Sequence, residues 1–74
     1  MAVTVTSVAG TLEISDGTTI QYANKDTVII TSSGDNVTIQ WDEVHFATYP
    51  YTAFSNPSGA SADAVADSIA TLVN

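Results

Sequence analysis

Between Val3 and Tyr49, apolar and polar residues alternate with a period of two, and turn residues interrupt the alternation at short intervals. No other feature limits the fold so much, because successive side chains of an extended strand point to opposite faces. Val3 and Val5 alternate with Thr4 and Thr6, Leu12 and Ile14 with Thr11 and Glu13, and Ile20 and Tyr22 with Thr19 and Gln21. "DTVIITSS" at 26–33 is more continuously apolar, as expected of a strand near the middle of a sheet. "NVTIQW" puts Val37, Ile39 and Trp41 on one face, and "EVHFATY" puts Val44 and Phe46 opposite Glu43, His45 and Tyr49.

The interruptions read as tight turns. Asp16-Gly17 is a strong hairpin signal, since both central positions of such a turn want positive φ. Asn24-Lys25-Asp26 and Ser33-Gly34-Asp35-Asn36 mark two more. Short strands joined by short turns imply an antiparallel meander.

The pattern changes after Tyr49. "YPYTAFSNPSGA" holds both prolines of the chain, and the residue before a proline is driven toward extended conformations, so this stretch is expected to be a connection. A helix follows. Ser61 is a suitable N-cap and Asp63 lies in the first turn, where the helix dipole favours negative charge. Ala62, Val65, Ala66, Ile69, Ala70 and Val73 recur at helical spacing with Leu72 beside them, while Asp63, Asp67 and Thr71 fall opposite. About three turns of helix are marginal alone in water, so this stripe is expected to cover one face of the sheet. The sequence therefore implies a single α+β, mainly β domain over 1–74. A meander of five or six short strands occupies 1–49, a connection 50–60 and a helix 61–73.

Such a domain has a thin stability margin, because it buries only roughly 60% of the surface that its unfolded chain exposes. Small domains compensate with disulfides, a metal or contact with another subunit. With no cysteine and one histidine, partner contact is the remaining route. Eight acidic residues stand against Lys25 alone, a formal net charge of -7. One cation cannot neutralise a phosphate backbone, so nucleic acid is not an expected partner. Nor is a membrane, since no long apolar run occurs, and "MAVTVTSVAG" carries no signal-peptide pattern.

Few residues suggest chemistry. A hydrolase would pair His45 with Asp42 or Glu43 and a serine, yet no G-x-S-x-G turn is present, and "TSSGD" reads as a hairpin. His45 is expected on the solvent side beside Glu43. One imidazole is too few for a zinc site, no calcium loop spacing occurs, and Gly34 and Gly59 stand outside any phosphate-binding pattern. The chain is therefore expected to be non-enzymatic, with no cofactor and no metal. Aromatic residues carry the interaction content: Trp41, Tyr49, Tyr51 and Phe54 fall close together at the end of the sheet and in the connection. Trp41 and Phe46 suit the core, and the loop aromatics suit either the core or a contact. The N-terminal "AVTVTSV" is the candidate edge strand for pairing with another chain. Candidate interface residues are thus Tyr49, Tyr51, Phe54, Trp41, Val3 and Val5.

The cysteine-free, lysine-poor, Ser/Thr/Ala-rich composition, the Thr-Val strands and the ending "PSGASADAVADSIATLVN" resemble small structural proteins of tailed bacteriophage virions. The resemblance is one of texture along the whole chain. It implies a many-copy capsid decoration, fibre-base or neck/tail accessory protein, assembled in the host cytoplasm into the virion and working through contacts with the major capsid or other virion proteins. A homo-oligomer or multi-copy assembly is expected. An alternative from a different class is an acidic inhibitor or DNA mimic that binds a host protein, which would need carboxylates arrayed on one face.

Overall fold

The computed structural model describes residues 2–55 and 59–73. Six antiparallel strands form two three-stranded meanders. In the first, β1 (Thr4–Val8), β2 (Thr11–Ser15) and β3 (Ile20–Asn24) pair in chain order. In the second, β4 (Ile29–Ser33), β5 (Asn36–Gln40) and β6 (Phe46–Pro50) do the same. A 3-10 turn at Tyr51–Ala53 follows, and then the helix α1 (Ala62–Val73). Asn56, Pro57 and Ser58 of the expected connection lie outside the described residues.

The sequence implies a mainly β, α+β domain with one C-terminal helix, and that is the architecture found. Its division into two sheets arises where β3 and β4 fail to pair. The sheets are joined instead by the residues just before β1 and after β6: Val3 and Phe54 form an isolated parallel bridge. Val3 N–H donates to the Ala53 carbonyl and Ser55 N–H to the Val3 carbonyl, both at 2.8 Å. Part of the connection therefore pairs like a strand, following the extended conformation at Pro50 (φ -63°, ψ 144°).

Each sheet turns one face inward. Val5, Leu12, Ile14 and Ala23 of the first sheet and Val37 and Ile39 of the second are fully buried, together with Val3. The helix presents Ala62, Val65, Ala66 and Ile69 to the same core, packing on β4 and β5 of one sheet and on β1 of the other. Ser61 caps it as expected: its hydroxyl accepts the Ala64 N–H at 3.2 Å, while its carbonyl accepts the Val65 N–H at 3.0 Å. The Asp63 carboxylate also accepts the Ser32 hydroxyl of β4, which ties the first turn of the helix to the sheet. Just ahead of the cap, Gly59 passes so close to the helix that an added Cβ would sit 2.6 Å from the Ala64 Cβ.

Three details depart from the sequence reading. The apolar run at 26–33 lies at an edge, because β4 pairs only with β5, and Ile29 is 53% exposed. Its inward positions suffice to hold it, with Val28 and Ile30 packed against the core. Asp16-Gly17 does not close a two-residue turn. Gly17 alone has positive φ, and the Asp16 carboxylate instead accepts the Thr18 and Thr19 N–H groups at 2.9 and 2.8 Å, organising a four-residue loop. The tight hairpin with positive φ at both positions is Ala9-Gly10, between β1 and β2.

Two stability predictions follow from these turns. Ala9 holds φ of 41°, a conformation costly for a residue with a Cβ, so Ala9→Asn should stabilise the protein by about 0.5–1 kcal/mol. Gly10→Ala should destabilise it by about 1 kcal/mol through backbone strain alone, since no atom lies within 4 Å of the added Cβ. At Gly59 the cost is steric. Gly59→Ala should push the capping loop off α1 and destabilise by about 1–3 kcal/mol. Urea unfolding followed by far-UV circular dichroism measures all three.

Candidate functional site

The candidate interface residues divide into two groups by burial. Val3, Val5 and Phe54 are core residues, 1%, 0% and 8% exposed, so their side chains are inaccessible to a partner. The N-terminal edge is also covered at Val3, by residues 53–55. Trp41, Tyr49 and Tyr51 are half-buried and pack on the margin of the core. Tyr49 meets Phe54 edge-on, with ring centroids 5.8 Å apart and planes at 88°. Burial pushes the Tyr49 hydroxyl above its ordinary pKa, and the nearby Asp16 charge adds to the effect.

Exposed apolar side chains lie elsewhere. On β6 the inward positions are Ala47 and Tyr49, so Phe46 points outward and is 63% exposed rather than part of the core. Phe46 lies opposite Gln40, which lies opposite Ile29, so the three form one row across the outer face of the second sheet. Val44, 74% exposed, stands two residues before Phe46. Beside the row, Thr27, Ile29, Gln40, Asp42 and Glu43 line a shallow hollow of about 220 Å³. On the outer face of the first sheet, Val8, Ile20 and Tyr22 are also exposed.

His45 belongs to the turn between β5 and β6. Its Nδ1 lies 2.6 Å from Asp42 Oδ2, and its ring stacks on Trp41 at a centroid distance of 6.4 Å. The other oxygen of Asp42 accepts the Val44 and His45 N–H groups at 2.8 and 2.7 Å. The carboxylate is thereby committed to shaping the turn, which is why β6 begins at Phe46 and not at Glu43. The hydrogen bonds described for His45 run to Asp42 and Trp41, and none involves a serine. His45 is exposed because it lies in the turn ahead of β6, not through the alternation, which grouped it with Tyr49, a residue that turns inward.

Among the described residues, no group of three His, Asp or Glu side chains could hold a metal ion. The carboxylates are dispersed: Asp16, Asp26, Asp35, Asp42 and Glu43 lie in turns, Glu13 on β2, and Asp63 and Asp67 on α1. Among the described residues, no helix is long and apolar enough to cross a membrane. Searches against family models, curated proteins and solved structures find no match for this chain.

The sequence contained the alternation that produces the Ile29–Gln40–Phe46 row, but not the offset that turns the row outward. The signal that would have revealed it is Asp42 followed by Val44 and His45, an Asx-type turn that consumes the first residues of the expected strand.

The N–H groups hold the Asp42 carboxyl below its usual 3.8, that of Val44 most strongly, with the His45 ring contributing. A depressed folded-state pKa stabilises the turn above the ordinary carboxylate range, and the contribution disappears as pH falls through the folded value. An NMR titration should therefore place the Asp42 midpoint below 3.8, with the Val44 and His45 amides losing protection over the same interval. Asp42→Ala should remove both effects and separate the Trp41 and His45 rings, seen as lost ring-current shifts on His45.

Proposed function

We propose that the protein is a non-enzymatic structural or assembly component of a bacteriophage virion, acting through protein–protein contacts as a capsid decoration, fibre-base or neck/tail accessory protein. The observation that carries this reading is the outward row of Ile29, Gln40 and Phe46 with Val44 beside it. Exposed apolar side chains grouped on one face gain free energy when a partner covers them, at roughly 25 cal/mol for each Å² removed from water. In a chain of 74 residues without cysteine, such a contact also raises the stability of the folded state by mass action. Composition supports the same reading through its likeness to small virion proteins. The inner face of each sheet is used to build the fold, which leaves the outer faces for contact with neighbouring virion proteins.

The reading predicts a definite location. After density-gradient fractionation of a phage lysate, an antibody to the chain should detect it in the particle peak at many copies per particle. Phe46→Asp with Val44→Asp should leave the circular dichroism spectrum unchanged and move the chain into the soluble fraction. Wild-type chain found wholly in the soluble fraction would overturn the proposal.

A further inference from the structure

Four strands lie at sheet edges, and their outward backbone groups differ. β1 is covered at Val3 by residues 53–55, and β4 lies against α1. On β6 the pairs Trp41–His45 and Asp35–Tyr51 are hydrogen-bonded toward β5. Alternation along the strand then turns Phe46, Thr48 and Pro50 outward, and Pro50 has no N–H to offer. The fourth edge, β3, has no such protection. Lys25 N–H donates to the Gly10 carbonyl at 3.1 Å and Asp16 N–H to the Thr19 carbonyl at 3.2 Å, so Thr19, Gln21, Ala23 and Lys25 face β2. Ile20, Tyr22 and Asn24 therefore direct their backbone groups away from the sheet. The Asn24 carbonyl accepts the Thr27 and Val28 N–H groups, while the outward groups of Ile20 and Tyr22 have no partner among the described residues.

We propose that β3 is a dimerisation edge at which two copies of this chain pair antiparallel about a two-fold axis at Tyr22. Tyr22 then stands opposite Tyr22 of the second copy, and the two exchange both N–H···O=C bonds. Ile20 stands opposite Asn24, whose N–H donates to the Ile20 carbonyl, so the pairing makes four inter-strand hydrogen bonds and one six-stranded sheet. Tyr22 and Ile20, 60% and 52% exposed on the outer face, come together across the junction.

Charge fits this occupant. Residues 17–24 contain no charged side chain in a protein of net charge -7. Glu13 lies opposite Tyr22 on β2, so the two Glu13 carboxylates end up three strand spacings apart, about 14 Å, beyond the screening length at physiological salt. Lys25, the chain's one cation, falls opposite Thr19 of the second copy, in line with the Asp16 that caps that turn. The Lys25 ammonium itself reaches Ser7 on β1 of its own copy, and the two strands that meet at the junction carry no like charges against each other. It is independent of the virion reading, since it concerns two copies whether or not they sit on a particle.

Sedimentation equilibrium and amide hydrogen exchange on the full chain test the inference. From micromolar to millimolar concentration the protein should approach twice the chain mass, with the Tyr22 and Asn24 amides exchanging at least about tenfold more slowly in the dimer. Tyr22→Pro deletes an N–H that the monomer's ladder does not use, and should raise the dimer dissociation constant roughly thirtyfold through the two lost bonds. Tyr22→Lys sets two ammonium groups directly opposite each other at the two-fold axis and should abolish the dimer with the monomer fold intact, since Tyr22 is 60% exposed, giving a result even where the proline variant fails to fold. A wild-type chain that stays monomeric at millimolar concentration overturns the inference. So does a dimer in which the Tyr22 amide exchanges freely, or one that survives Tyr22→Lys unchanged.

Discussion

Burial of the apolar stripe of α1, with Val65 and Ile69 fully buried, in the core that both sheets share is the interaction on which the rest of the molecule depends. A three-stranded meander with one apolar face cannot stand alone in water, and here there are two, unpaired with each other along β3 and β4. The helix reaches β4 and β5 on one side and β1 on the other, so its Ala/Val/Ile stripe closes a core to which each sheet contributes only a few side chains. The two alanines in the buried stripe keep the helix close to the strands. The Gly59 approach and the Ser61 cap then determine where the helix starts.

The second joint is the Val3–Phe54 bridge. It uses the first strand's outer edge, which would otherwise be available to another chain, and it brings the residues after Pro50 into contact with the core. Edge management across the molecule follows from this economy. One edge is covered by the chain itself, one ends on proline, one lies against the helix, and on β3 the outward groups of Ile20 and Tyr22 have no partner among the described residues.

Polar contacts in this protein shape turns more than they shape a reactive site. Asp16 and Asp42 each accept two backbone N–H groups within their own loops, and both carboxyls are held below the ordinary range as a result. The Asp42–His45 pair looks like half of a catalytic arrangement, but its geometry is that of a turn staple flanked by Trp41. What the outer faces do offer is apolar side chains set among Thr, Gln and Glu, a composition suited to contact with protein.

The sequence by itself determined the strands and the helix. The period of two marked β1, β2, β3 and β5 closely, the 3.6 period marked Ala62–Val73, and Ser61 was legible as its cap, because these signals depend only on neighbours along the chain. Which face of each strand is buried, and which strand lies at an edge, was decided by tertiary structure. Alternation states that Phe46 and Tyr49 are on opposite sides but not which side meets the core, and a one-residue offset exchanges the two. The Asp42 turn supplied that offset. In the same way Val3 and Val5, plausible as a free edge, became core once Phe54 folded back onto them, a contact across fifty residues that no local pattern encodes.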